Sequence, residues 1–402
     1  MPDPAAPAGP LAGIQVIDIS HQAAGPWCTT LLGDMGADVW KVEKPGRGDG
    51  IRYSGGADPV AGSYNFWGLN RNKKSIAIDI KAPEGRDLIL ELLDTADVLV
   101  ENFRPGVMER LGLGDDVVRR RNSRLVYASI SAFGRSGPLR DAPGMDLILQ
   151  ATSGLMGLTG FPGGPPVKAA APVADIMSGT YAALGIASAL FRRASSGTGQ
   201  RVDVNMLESA LSLLSDLTTE SLNTGNKFER FGSGHPHLSP YQAFEASDGY
   251  VVIACLTNAF YKRLMIAIDR QDLIDDPRFA TNVARCSTPD FLAVFEPIVR
   301  AQTCAYWLGK CAAADVPACL VNDLGDVFDL EQIKALDAVV EWAPGDREPF
   351  RTPNVFLKFS DTPGALRVPP PRLGAATDEI LQRLGRTPEQ IQTLRERGVC
   401  GG

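Results

Sequence analysis

Residues 11–49 read LAGIQVIDISHQAAGPWCTTLLGDMGADVWKVEKPGRGD. Ile14–Ile19 has the apolar density of a short buried strand, and Ala37–Val42 that of a second. Between them Gly25-Pro26 reads as a turn, Thr29–Met35 as a helix and Gly36 as its stop; Glu43 to Gly46 closes the second strand. A strand–helix–strand unit of this length suits the crossover of a parallel sheet.

The unit repeats downstream. Ser75–Ile80, Asp97–Val100 and Leu125–Ser131 read as strands, and Pro83-Glu84-Gly85 opens a helix to Leu93. After the loop Asn102–Gly106 a helix follows to Leu111. Leu147–Gly154, Asp175–Arg193 and Met206–Thr218 read as helices, with a strand at Gln200–Val204. This alternation predicts a large α/β domain of Rossmann type over the first half of the chain. Residues 219–240 read as a linker, and Tyr241–Cys255 as a hairpin turning at Ser247-Asp248-Gly249. Residues 260–314 are mainly helical in pattern, Val316–Val321 is a strand, and the proline-rich stretch 340–376 suits a wrapping segment before helices at Thr377–Leu384 and Pro388–Arg397. The expected organisation is 1–218 for the large domain, 219–240 for the linker, 241–330 for a smaller α+β domain, and 331–402 for a segment returning to the large domain.

The bulk numbers narrow the function. In 402 residues, with 44% hydrophobic and 22% charged, the chain has material for two domains and an ample core. A net charge of -7 argues against nucleic-acid binding, which needs a basic face. Seven scattered cysteines without a C-x-x-C pair, and three histidines, suggest neither a disulfide framework nor a metal site, and fit a reducing cytoplasm. The start MPDPAAPAGPLAG lacks the pattern of a secretory signal, and no apolar run of about 18 residues is found, so a soluble protein without a membrane partner is expected.

Several residues invite chemical roles. The turn HQAAGPWC has one glycine where a dinucleotide fingerprint needs three, and Pro26 and Trp27 obstruct a pyrophosphate there. Basic residues gather near strand ends: Lys41, Lys44 and Arg47; Arg71, Lys73, Lys74 and Lys81; Arg104 and Arg110. They suit a ligand with several phosphates, or equally a solvated mixed-charge surface. Asp175, in AAPVADIMSGTYAAL, opens a helix of small residues; it is a helix cap, a functional carboxylate, or both. His21 is structural or lies at a site, His235 and His237 lack the spacing of a helical metal pair, and Cys28 is the one cysteine placed to meet a ligand.

Seven blocks in order resemble the class III CoA-transferases, the family of formyl-CoA transferase and carnitine CoA-transferase. They are residues 11–49, 70–85 (NRNKKSIAIDIKAPEG), 96–113 (ADVLVENFRPGVMERLGL), 130–138 (ISAFGRSGP), 144–160 (GMDLILQATSGLMGLTG), 172–186 (PVADIMSGTYAALGI) and 197–211 (GTGQRVDVNMLESAL). SPYQAF and SDGYVVIA extend the similarity to 239–254. The resemblance implies the class III CoA-transferase fold and an interlocked homodimer. It implies an enzyme that moves CoA from an acyl-CoA, succinyl-CoA among the candidates, to a carboxylic acid, without a metal or a permanently bound cofactor. The family's catalytic aspartate falls on Asp175, expected to stay ionised near neutral pH. CoA-contacting positions fall on Lys44, Ile78, Lys81, Asn102, Phe103, Val107 and Arg110, with His21, Ala23 and Asp146 as active-site neighbours. Lys44 replaces an arginine of formyl-CoA transferase, a point charge in place of a bidentate contact. Ala23 replaces a glutamine, and that enzyme's glycine-rich loop has no counterpart in IACLTNAFYKRL; these two departures speak against a formyl/oxalate specificity. Arg52, Arg71 and Arg135 are candidates for the acceptor's second carboxylate. Two alternatives share the fold: a 2-methylacyl-CoA racemase, whose motif has a histidine where Met145 stands, and a non-catalytic CoA-thioester-binding protein.

Overall fold

The computed structural model describes residues 9–55, 62–342 and 349–401. The chain divides into two compact units: Met1–Leu155 with Ala169–Ser215 and Lys334–Gly402, and Met156–Lys168 with Asp216–Ile333.

The first unit is built on β1 (Gln15–Asp18), β2 (Asp38–Glu43), β3 (Lys73–Ile78), β4 (Val98–Glu101), β5 (Val126–Ser131) and β6 (Arg201–Asn205). Their order in the sheet is β3-β2-β1-β4-β5-β6, all parallel, and the terminal strand Cys400–Gly401 joins β3 antiparallel. The order reverses between β1 and β4. In an open α/β sheet the crevice beyond the carboxyl ends at such a reversal is where ligands bind.

Side chains alternate across a strand, so each sheet face has its own core. Ile17, Trp40, Val42, Ile76, Ile78, Leu99 and Tyr127 pack with Leu88, Ile89 and Leu92 of α2 (Pro83–Leu93) and Val118 of α3 (Asp115–Arg121). Ile380, Leu381 and Ile391 from the C-terminal helices complete that face, and Lys334–Gly402 belongs to this unit. The other face buries Val16, Val39, Val98, Val126 and Ile130 under α1 (Ala24–Asp34) and, beyond α4 (Asp146–Thr152), α5 (Val173–Ser196).

Three expectations about this unit need correcting. Gly25 and Pro26 are not a turn; they form the first turn of α1. A proline fits there because its missing N–H has no intrahelical partner to lose. Gly25 is needed because a Cβ would lie 2.2 Å from the Ser20 Cβ. The third strand starts at Lys73 rather than Ser75, because Lys73 buries its ammonium within the protein and so does not behave as a surface residue. The stretch that reads as one helix, 206–218, is two, Met206–Ser212 and Ser215–Thr224, broken where Ser215 takes φ 27°. The second of them runs into the stretch that reads as linker.

Helix α5 is, by length and composition, apolar enough to cross a bilayer, although the sequence reading expects no such run. Its inner face is committed elsewhere: Ala182, Ala183, Ile186 and Ala189 are buried in the sheet core.

The second unit has a three-stranded antiparallel sheet, Tyr241–Ala246, Gly249–Ala254 and Ala318–Leu320, and its first two strands are the predicted hairpin. Helices Asn258–Ala267, Asp290–Arg300 and Cys304–Ala313 cover it around an aromatic core. Phe295 stacks on Phe291 at 5.4 Å and meets Phe244 edge-on at 5.3 Å. This is a small α+β body.

Candidate functional site

The carboxyl ends of β1, β2, β3 and β4 enclose a cavity of about 250 Å³. Ile19 and His21 line it from β1, Val42 to Lys44 from β2, Ile78 to Lys81 from β3, and Phe103 from the loop after β4. Its wall is mostly apolar. Lys44 and Lys81 are exposed, which puts two ammonium groups at its solvent side. Phe103 meets the His21 ring edge-on at 5.2 Å.

Of the residues expected to contact CoA, four therefore line one cavity together with His21. Asn102 stands behind it: its side chain accepts from the His21 N–H (2.8 Å) and donates to the His21 carbonyl (2.7 Å), tying the loop after β4 to the turn after β1. Val107 and Arg110 belong to the short helix Val107–Arg110 and are not among the lining residues. Arg110 is exposed and folds back toward Gly106, next to the Phe103 loop. Burial and the nearby Lys41 ammonium lower His21 from its ordinary value, which favours the neutral imidazole.

The second centre is the start of α5. Pro172 occupies the cap position and brings no capping side chain. The cap comes instead from Asp146 at the start of α4, whose Oδ1 accepts from the Ala174 N–H (2.8 Å) and, more distantly, from Asp175 (3.5 Å). Gln150, one turn along α4, donates to the other Asp146 oxygen at 2.6 Å. Asp175 is half-buried, and burial first and the negative Asp146 second push its carboxyl up to about 7. The expectation that Asp175 stays ionised near neutral pH gives way to a carboxyl raised into the neutral range. Asp146→Asn keeps the capping oxygen and removes the charge. It is expected to move the acid limb of the activity profile to lower pH, whereas an unmoved limb would rule out an electrostatic role for Asp146.

Helix α5 leads directly into β6, so its first turn lies at the carboxyl edge of the sheet, the edge where α1 also begins. The two helices touch backbone to backbone: a Cβ on Gly179 would stand 2.4 Å from the Ala24 carbonyl oxygen. The Trp27 indole donates to Thr180 at 3.1 Å. Asp175 is one turn before Gly179 on the same helix face, which directs it toward the first residues of α1, where Ala23 stands. Met145, at the racemase histidine's position, is an exposed cap residue of α4.

Other expectations are redrawn by burial. Lys41, Arg71 and Lys73 are buried and paired with Asp49, Asp34 and Asp18, not displayed to a polyphosphate. The candidates for a second carboxylate are engaged too: Arg52 grips Glu43, Arg71 grips Asp34, and Arg135 pairs with Glu109. Cys28 is fully buried and burial raises its thiol, so it meets no ligand. His235 and His237 lie in the second unit, where His237 contacts Glu220 at 2.6 Å. Among the described residues no three His, Cys, Asp or Glu side chains are grouped to hold a metal. One group is missing from the sequence reading: Glu101 is buried, accepts from the Phe103 N–H at 2.8 Å, and is pushed by desolvation to about 7. Its signal, an acid at the end of an otherwise apolar strand, is visible only in retrospect.

Comparison with known proteins agrees with this architecture. The family model "CoA-transferase family III" matches residues 11–377. An acetyl-CoA:oxalate CoA-transferase of Acetobacter aceti is 40% identical over 342 residues, covering 84% of this chain and 87% of that protein. The beta subunit of a succinyl-CoA–L-malate CoA-transferase of Chloroflexus aurantiacus is 36% identical over 396 residues, covering 97% and 98%. The crystal structure of a CaiB/BaiF family protein from Brucella suis superposes with a TM-score of 0.82 at 34% identity, covering 94% of this chain and all of that one. With the sheet, the cavity and the family match in agreement, the chain belongs to CoA-transferase family III and is an enzyme that transfers CoA.

Proposed function

We propose that the enzyme carries CoA from an acyl-CoA donor to a small carboxylic acid through covalent intermediates on Asp175. The Asp175 carboxylate attacks the donor's acyl carbon, forming a mixed anhydride and expelling CoA thiolate. The thiolate attacks the aspartyl carbonyl, which gives an aspartyl-CoA thioester and frees the donor acid. The acceptor carboxylate then attacks that thioester and expels the thiolate again, leaving an acceptor–aspartyl anhydride. The thiolate finally takes the acceptor's acyl group and restores the Asp175 carboxylate. Atoms and charges balance at each step, and the donor and product thioesters are of similar energy, so the overall exchange needs no other driving force. The observation that carries this reading is the setting of Asp175: a half-buried carboxyl at a helix N-terminus, raised to about 7, at the same sheet edge as the cavity.

The cavity is read as the CoA site. Ile78, Val42 and Phe103 offer an apolar seat for the adenine, and Lys44, Lys81 and Arg110 supply charge for the phosphates. Calorimetry should show CoA binding weakened about tenfold or more in the double variant Lys44→Ala/Lys81→Ala; unchanged affinity would place CoA elsewhere. Relatives acting on oxalate and on L-malate support a small dicarboxylate acceptor, and the second supports succinyl-CoA as donor. The oxalate relative keeps that acid among the candidate acceptors. The test is mass spectrometry of the enzyme incubated with succinyl-CoA and trapped with hydroxylamine. Modification of the Asp175 peptide supports the route; no modification with any acyl-CoA, despite CoA binding, would sink it.

The working assembly is proposed to be a homodimer. On α5, Tyr181, Leu184 and Phe191 expose 38%, 62% and 85% of their surface along one face, apolar area that a second copy would cover. Sedimentation equilibrium at micromolar concentration decides it, and a monomer would end the idea.

A further inference from the structure

The turn between β1 and α1 is held more firmly than a loop requires. Gln22 sits at φ 67°, a left-handed conformation unfavourable for a residue with a side chain. From the Ser20 amide to the Gln22 amide, each backbone polar group is taken by a side chain. The Ser20 N–H donates to Asp18 (2.9 Å) and its carbonyl accepts from Lys41 Nζ (2.8 Å). Asn102 takes both groups of His21 (2.8 and 2.7 Å). The Gln22 N–H donates to both oxygens of Asp49 (3.1 and 3.2 Å).

Lys41 and Asp49 join these clamps to each other. Their ion pair is 3.0 Å long and fully buried on both sides. Asp49 also accepts from the Ile51 N–H (3.1 Å), and its own N–H donates to Glu43 (2.9 Å). Glu43 is held in turn by the Arg52 guanidinium and the Ser75 hydroxyl (2.6 Å). On the far side Lys73 pairs with Asp18 at 3.2 Å. A buried ion pair is weak evidence for stability, since well-packed apolar residues commonly do as well. A strained turn persists only where its surroundings over-determine it, and such turns cluster at functional sites. This turn carries the His21 ring into the cavity wall and leads to Ala23 at the start of α1.

Resting on the reading of the cavity as the CoA site, we propose that Lys41 and Asp49 are positioning residues. Their buried pair holds the strained Ser20–Gln22 turn so that His21 and Phe103 form the cavity wall. Neither residue touches CoA; both act through the backbone of the turn.

The test compares the full-length enzyme with Asp49→Asn and Lys41→Met. The first substitution keeps the shape and one acceptor but loses the charge. With three histidines in the chain, imidazole ε1 NMR signals are assignable by single replacements. Wild-type His21 should show the ring-current displacement that the edge-on Phe103 contact imposes. In each variant that signal should move toward an exposed histidine's position, while His235 and His237 stay. CoA affinity by calorimetry should fall about tenfold. Adding Gln22→Gly to Asp49→Asn should recover about fivefold, because glycine adopts the left-handed turn without strain. If a single variant fails to fold by circular dichroism, Lys41→Met/Asp49→Leu removes both charges together and is measured instead. An unmoved His21 signal, or a moved signal with unchanged CoA affinity, overturns the proposal. A wild-type enzyme that binds no CoA overturns the reading of the cavity, and the His21 signal still reports separately on whether the pair holds the turn.

Discussion

Asp175→Ala is expected to abolish CoA transfer, lowering turnover by on the order of 10⁴-fold or more without loss of CoA binding. The size of the effect follows from the absence of a substitute. The neighbouring carboxylate, Asp146, has one oxygen on the Ala174 N–H and the other on the Gln150 amide, so it cannot swing out to attack a thioester. The same geometry sets the pH dependence. In the proposed route only ionised Asp175 attacks, and burial and Asp146 raise its carboxyl to about 7. The rate of the first acyl transfer should therefore rise with pH through about 7 and level off above it. A rate that is flat from about pH 5.5 to about 8.5 would contradict that assignment.

The raised carboxyl has a signature in stability too. Its unfolded value is 3.8 and its folded value about 7, so between them the folded protein holds a proton that the unfolded chain has released. The folded state thus gains least at high pH: this stabilisation is complete below about 4 and is lost as pH rises through about 7. Asp175→Asn removes the cost of keeping a charge there. Its melting temperature should exceed that of the wild type at pH 8, with the gap closing toward pH 4. An equal gap at both values would place the effect elsewhere than in the titration.

Gly179→Val should destabilise the protein by about 3 kcal/mol or more and remove transfer in whatever still folds. A Cβ at Gly179 would stand 2.4 Å from the Ala24 carbonyl oxygen, 3.0 Å from the Trp27 ring and 3.2 Å from the Cys28 nitrogen. Two of these are backbone atoms and cannot step aside, so α1 and α5 must part. Separation costs the packing of Cys28 and Leu32 against Ala182 and Ile186, and it moves Asp175 away from the start of α1. Gly68→Ala is the control: it is a helical glycine with nothing within 4 Å, and is expected to be neutral or slightly stabilising. Thermal melts of the two variants decide the matter; a Gly179→Val melt matching the wild type would refute the close-contact argument.

Signals that act over a few residues are legible in this sequence. The helix Pro83–Leu93 matches its expected ends, and the hairpin its expected start and turn while ending at Ala254 rather than Cys255, because a first-turn proline and a Ser-Asp-Gly turn mark boundaries locally. The departures share one cause. Arg71 and Lys73 read as surface cations, yet each is buried on an acid distant along the chain, Asp18 lying 55 residues before Lys73 and Asp34 lying 37 before Arg71; Lys41 is likewise buried, on Asp49. Nothing in a lysine's neighbours along the chain announces such a partner. Gly25-Pro26 is a turn by composition, yet it opens a helix whose first turn packs closely against Ser20.

The amino-acid sequence by itself determined the parallel sheet, the smaller α+β body and the family, because strand–helix alternation and seven collinear blocks are properties of order along the chain. Where the sheet reverses, between β1 and β4, was decided only by the tertiary structure, as were the meeting of His21, Lys44, Ile78, Lys81 and Phe103 around one cavity and the rise of Asp175 to about 7. Those depend on desolvation and on charges brought together from distant segments. Asp146 shifts Asp175 across 29 residues of chain, and Asp49 holds Gln22 across 27, through contacts that exist only once the chain has folded.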